Sequence, residues 1–289
     1  MSDPVKVLRG LLDLERLEKD LFRGIGSGGE STMRIFGGQV IAQALAAAYG
    51  TVEDRACHSL HAYFIRPGDP KIPVIYSVDR ARDGGSFTTR RVVAIQHGKQ
   101  ILNMSASFHI TEEGWHHQHP MPAAPAPDSL RPQSDLRAEV IDKVPEKFRK
   151  EFLRPRAIEI CEAEPRDMFD PEKASDTNQV WFRLAGQAPD DLPLNHCLLS
   201  YASDMHLLGS ALRPHGLTWF KGNVMTASLD HAMWFHAPFD FTDWHLYQMD
   251  SPFSGNARGF NRGSIYSQSG TLVASVAQEG LMRPVEPRF

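Results

Sequence analysis

One carboxylate of this 289-residue chain stands where a helix normally carries a leucine. In Leu198 to Gly216, LLSYASDMHLLGSALRPHG, a 3.6-residue wheel gathers Leu198, Ala202, Met205, Gly209 and Leu212 into an apolar stripe, and Ser203, His206, Ser210 and Arg213 into a polar row. Asp204 belongs to neither: it falls between Leu208 and Ala211 at the edge of the apolar arc, and Pro214 is expected to stop the helix. An ionised carboxylate facing a core is costly unless paired or hydrogen-bonded. Asp204 therefore either turns to solvent or a nearby backbone amide, or is a perturbed acid of the kind that marks functional sites. Gln278 is the second anomaly. Leu272, Ala274, Val276, Gln278 and Met282 share one face of the last strand, so an amide that needs partners sits on an apolar row.

Other chemistries fit the residues less well. No GxSxG elbow is present. Ser228, beside Thr226 and Asp230 on the polar alternation, reads alone as a strand-edge serine, and alternation places His231, three residues on, on the opposite face. His116, His117 and His119 lack helical spacing and a carboxylate partner, so they suggest a solvated loop and no metal. Gly24 to Gly29 formally matches GxGxxG but follows a helical pattern in place of a strand, which suggests a flexible loop.

The elements that must position Asp204 and Gln278 recur. Pro4 to about Asp20 reads as a short amphipathic helix, and Phe36 to Tyr49, FGGQVIAQALAAAY, as a strong helix almost free of charge that something must wrap. Strand-like segments follow from His58 and Ile72, then a hairpin FTTRRVVAIQ and KQILNMSASFHI turning at His97-Gly98. Pro120, Pro122, Pro125 and Pro127 mark an extended linker, and Asp135 to Phe152 one or two surface helices. The second half repeats the first: ASLDHAMWFHAPFD matches HSLHAYFIRPGD, and a second hairpin turns at Ser269-Gly270. His61 to His231 gives an offset of 170 and Gly98 to Gly270 one of 172, which points to a duplicated unit. The reading is α+β, two tandem units each with a long helix wrapped by a curved antiparallel sheet. They span residues 1–112 and 155–289, joined by a Pro-rich and helical linker over 113–154.

A net charge of −4 with both signs interspersed gives no footprint for nucleic acid or an anionic membrane. Cys57, Cys161 and Cys197, widely spaced, suit buried reduced thiols. With no signal-peptide core, no apolar run long enough to span a bilayer and no targeting tripeptide in the terminal EPRF, a soluble cytoplasmic protein is expected.

Taken in order, IFGGQVIAQAL, HSLHAYFIRPGDPKIPVIYSVDRARDGGSFTTRRV, MPAAPAPD, YASD, DHAMWFH, ARGF and VAQEGLMR resemble the acyl-CoA thioesterase II family over nearly the whole chain. The resemblance implies a double hotdog fold, acyl-CoA as substrate, no cofactor, and assembly into a homodimer or homotetramer. It also implies a catalytic set of Asp204, Ser228 and Gln278, with Ser where many members carry Thr. A carboxylate, a hydroxyl and an amide suit direct hydrolysis of a thioester, in which the enzyme must deprotonate and aim one water. Gly37-Gly38 at a helix N-terminus could supply the oxyanion donor. Arg66, Arg90 and Arg91 read as surface arginines, His58 and His61 as strand residues outside the set, and Ala106 as the first-half counterpart of Gln278. Two alternatives remain: a hotdog hydratase or dehydratase, for which the Asp-x-Asn-Pro-x-His run is missing, and a non-catalytic acyl-CoA-binding module.

Overall fold

The structure, a computed structural model, describes residues 3–26, 33–187 and 190–286. The first half runs α1 (Pro4–Leu12), β1 (Glu15–Glu18), β2 (Leu21–Gly24), α2 (Gly37–Tyr49), β3 (Ala56–Phe64), β4 (Val74–Asp83), β5 (Phe87–Gln96) and β6 (Lys99–His109). Next come α3 (Gln133–Glu139) and α4 (Glu146–Phe152). The second half is β7 (Ile158–Glu162), β8 (Asn178–Leu184), α5 (Leu192–Ser203), α6 (Gly209–Leu212), β9 (Val224–Ser228), β10 (Asp230–Phe235), β11 (His245–Gly255), β12 (Arg258–Ser267) and β13 (Leu272–Pro284).

Outside the site, two segments differ from expectation. The first helix ends at Leu12, and the residues from there to Asp20, expected to continue it, begin a small hairpin instead. There β2 pairs with β4 and buries Phe22, a tertiary gain that outweighs helix propensity. The second is β11, which no Asn-Gly or Asp-Gly turn signal in the sequence announces. Its hairpin with β12 turns at Asn256 (φ 49°) and Ala257 (φ 58°), a geometry usually announced by glycine, as it is at His97-Gly98. The Gly24 to Gly29 loop runs into residues 27–32, which lie outside the described residues, as do the last three of EPRF.

α2 carries no charged residue because it is enclosed: most of its residues from Gly38 to Ala48 are buried between the curling sheet and α5, with the Gln39 and Gln43 amides hydrogen-bonded inside. The two helices approach so closely that a Cβ on Gly38 would lie 2.3 Å from the Tyr201 carbonyl oxygen. Among the described residues the strands join into one sheet. From its centre, β3–β6–β5–β4–β2–β1 runs one way and β10–β13–β12–β11–β8–β7 the other, with β9 also on β13. This is an antiparallel double hotdog, folded about a pseudo-twofold axis between β3 and β10. Its register corrects the repeat. The pairs Leu60↔Met233 and Ala62↔His231 exchange under an offset of 171, from 60 to 231 and from 62 to 233. Ala62↔Met104 in one half corresponds to Met233↔Val276 in the other. The offset of 170 read from the two histidines is one residue short, and a one-residue slip changes faces: His61 is exposed and His231 buried.

Residues 110–126 carry no helix or strand, and the Trp181 indole ties their proline run to β8 by donating to the Pro125 carbonyl at 2.8 Å. His116, His117 and His119 are exposed there. All three cysteines are free and buried. Among the described residues no helix is long and apolar enough to cross a membrane.

Candidate active site

The stretch from Leu198 is not one helix. α5 stops at Ser203, Asp204 is its C-cap (φ −77°, ψ −11°), His206 turns left-handed (φ 65°), and α6 starts afresh at Gly209. Pro214 lies inside a following 3-10 turn, and Ser203, Ser210 and Arg213, assigned above to a polar row, are buried. The break serves the carboxylate. The N-cap of α2, Phe36, has no side chain that can accept from the first-turn amides, and Asp204 fills that role from across the molecule: Gly38 N–H donates to its Oδ2 at 2.8 Å. Glycine is required for this approach, since a Cβ on Gly37 would stand 2.7 Å from the same oxygen. The last turn of α5 is satisfied separately, with the Tyr247 hydroxyl donating to the Ser203 carbonyl at 2.9 Å.

The other carboxylate oxygen gathers both remaining residues of the set. Asp204 Oδ1 accepts from Gln278 Nε2 at 2.5 Å and from Ser228 Oγ at 3.1 Å. The sequence positions 204, 228 and 278 thus meet at one half-buried carboxyl. Removal from water pushes its pKa up to about 6, against the pull of these three donors and of Arg34. A carboxylate tuned near neutrality can exchange a proton at working pH.

Gln278 lies on the buried face of β13, 1% exposed, as its alternation suggested. Its Nε2 also lies 3.1 Å from Nδ1 of His231, and its Oε1 has no protein partner. His231 is the residue that alternation misplaced. β13 pairs Gly280 with Ser228 and Ala277 with Ala232, so four residues on β9–β10 span three on β13. The bulge at Leu229 brings Ser228 and His231 to one face although they are three apart. The equivalent bulge between Cys57 and Ser59 is the only hint available, and it too emerges only from register.

The carboxyl opens on a cavity of about 1020 Å³ between the halves, walled by apolar residues including Phe36, Val40, Phe64 and Leu212 and by several arginines, Arg34 and Arg66 among them. Arg91 is exposed on its strand, as read. Arg90 is not a surface residue: it is 1% exposed and bonds Thr51 and Asp83. His58 bonds Ser107 and His61 packs edge-on to Trp234; neither lines the cavity. The dyad-related position is different in kind. Arg90↔Ala106 corresponds to Asn261↔Gln278, Cys57↔Phe108 to Ser228↔Gly280, and Gly50 is the C-cap of α2 as Asp204 is that of α5.

Comparison with known proteins sets this geometry in a family. Residues 148–281 match the family described as acyl-CoA thioesterase, and residues 28–109 the one described as acyl-CoA thioesterase N-terminal domain. The chain is 39% identical to acyl-CoA thioesterase 2 of Haemophilus influenzae, over 98% of this chain and 99% of that protein. To the human acyl-coenzyme A thioesterase 8 it is also 39% identical, over 99% of this chain and 93% of that one. The crystal structure of an acyl-CoA thioesterase II from Mycobacterium marinum superimposes with a TM-score of 0.78 at 42% identity, covering 96% of this chain and 99% of its own.

Proposed function

The chain belongs to the acyl-CoA thioesterase family, and on that premise we propose how its site hydrolyses an acyl-CoA to a free fatty acid and coenzyme A. Asp204 is the general base. It takes a proton from one water as that water attacks the thioester carbonyl, while Ser228 and Gln278 hold the carboxylate and the water in line. The observation that carries this reading is the convergence of the Ser228 hydroxyl and the Gln278 amide on one oxygen of a carboxyl whose pKa is pushed up to about 6. The Gly38 amide is committed to Asp204, which leaves Gly37, whose first-turn N–H has no acceptor within the helix, as the oxyanion donor at the cavity wall.

The leaving coenzyme A thiolate is a good leaving group, so the chemistry asks for no cofactor. A hydratase would pair a histidine with an acid; here His231 bonds Gln278 and Ser203 and does not bond the carboxylate. The three free, buried thiols suit a reducing compartment and support a cytoplasmic location, and family resemblance implies a homodimer or homotetramer, which light scattering reads directly. The test of the activity is thiol release from a panel of saturated acyl-CoAs of increasing chain length. Turnover of at least one length supports hydrolysis, and binding without turnover of any would make the protein a binding module.

A further inference from the structure

Building on the general-base reading of Asp204, we propose that His231 is a positioning residue that fixes the orientation of the Gln278 amide and so keeps its N–H on the base. The hydrogen bonds leave one arrangement of protons. Ser203 Oγ donates its single proton to the Ser200 carbonyl at 3.0 Å, so toward His231 Nε2, 2.9 Å away, it can only accept. Nε2 therefore carries the ring proton, and Nδ1 is bare. Bare Nδ1 accepts one N–H of Gln278 at 3.1 Å, and the second N–H of that amide points to Asp204 Oδ1 at 2.5 Å. A flipped amide would set Oε1 against a carboxylate oxygen and a ring lone pair together. His231 is 0% exposed, and burial drives its pKa down to about 3, so the ring gains no second proton that would displace the amide. The other ionisable groups facing Asp204 do not compete for that amide: Arg34 precedes α2 and bonds the Thr226 carbonyl, and the Tyr247 hydroxyl on β11 is held neutral by burial and bonds the Ser203 carbonyl.

The duplication supplies the control. Under the offset of 171 the counterpart of His231 is Leu60, paired with Ala106, the counterpart of Gln278. The same place in the same sheet accepts leucine where no amide needs holding. The fold does not demand a histidine at 231; the amide does.

The test is a cycle of His231→Leu, Gln278→Ala and the double variant, with His231→Asn as the conservative replacement, because the Asn oxygen can stand where Nδ1 accepts. Each is measured for kcat, KM and the pH dependence of kcat/KM. His231→Leu is expected to lose about tenfold or more in kcat with KM unchanged. Its acid limb should move to higher pH, as Asp204 loses a donor to its charged form. His231→Asn should recover most of both, and in the Gln278→Ala background His231→Leu should cost nothing further. Wild-type kcat and acid limb in His231→Leu, or an equal loss with and without Gln278, would overturn the proposal. Should the leucine variant not fold by circular dichroism, Ser203→Ala frees the ring to take the other tautomer. A lower kcat and a raised acid limb are then expected, and no change in either overturns it. Failure of the general-base reading has a different signature: no acid limb would follow Asp204 in any variant, while the cycle would still read the coupling of 231 to 278.

Discussion

At the scale of single residues, the site is a carboxyl held between opposing demands. Burial raises the pKa of Asp204 and three hydrogen bonds lower it, leaving it at about 6. Under the proposed mechanism Asp204 must be ionised to work, so kcat/KM should be flat above about pH 6 and fall roughly tenfold per unit below it. A pH profile flat down to pH 5 would contradict that assignment. Gly37 is a sensitive neighbour: Gly37→Ala places a methyl 2.7 Å from Oδ2, and about a hundredfold loss of kcat is expected from displacing the proposed base by a few tenths of an ångström. Steady-state kinetics on the folded variant measures it. Asp204 and Gln278 were legible in the sequence because each is a polar group on an apolar row. Ser228 was not, since its neighbours are polar as well, and only family resemblance selected it. The bonds of the Gly38 amide to Asp204 and of His231 to Gln278 were hidden, because no periodicity reports which helix end meets which carboxylate or where a bulge shifts a face.

Among the elements, regular periodicity is legible in the sequence and its interruptions are not. α2, the β5–β6 hairpin and β13 follow from alanine-rich helix pattern, turn chemistry and alternation. The wheel that ran one helix from Leu198 to Leu212 failed at Asp204, where contact with the α2 N-terminus, 166 residues away in sequence, replaces the next helical turn. Alternation failed at Leu229, where one extra residue changes which side chains share a face. The β11–β12 turn went unseen because Ala257 occupies a left-handed position (φ 58°) that glycine normally marks. Ala257→Gly should relieve that strain and stabilise the protein by about 0.5–1 kcal/mol net of the added chain entropy. The unfolding temperature would then rise by about 1–2 °C with kcat unchanged, and a lowered Tm would show that the turn is not strained.

Over the whole molecule, duplication explains the continuous sheet, and divergence of the two copies the single proposed site. Two copies meet at β3 and β10 and enclose α2 and α5, so each helix N-terminus faces the opposite half. At one dyad-related position the polar groups Asp204, Ser228 and Gln278 gather. At the other stand Gly50, Cys57 and Ala106, and Arg90 is buried nearby between Thr51 and Asp83. A non-hydrolysable thioether analogue of an acyl-CoA should therefore bind at one site per chain by calorimetry; two equal sites would contradict the asymmetry. The repeat was visible in the sequence as matching blocks, but its true offset was not, because the resemblance between the two histidine-containing segments favours a register one residue away from the one the strands adopt.

The most direct measurement is kcat of Asp204→Asn on the best acyl-CoA substrate, with its thermal stability followed at pH 8. Because the folded pKa of Asp204 lies above 3.8, its charge costs stability increasingly as pH rises from about 4 to 6, to about 3 kcal/mol at most above that. The variant, lacking the charge, should be at least as stable as wild type at pH 8, which separates loss of chemistry from loss of fold. A folded variant that loses at least about two orders of magnitude in kcat is the expected result. A folded variant that keeps its rate would show that the base lies elsewhere.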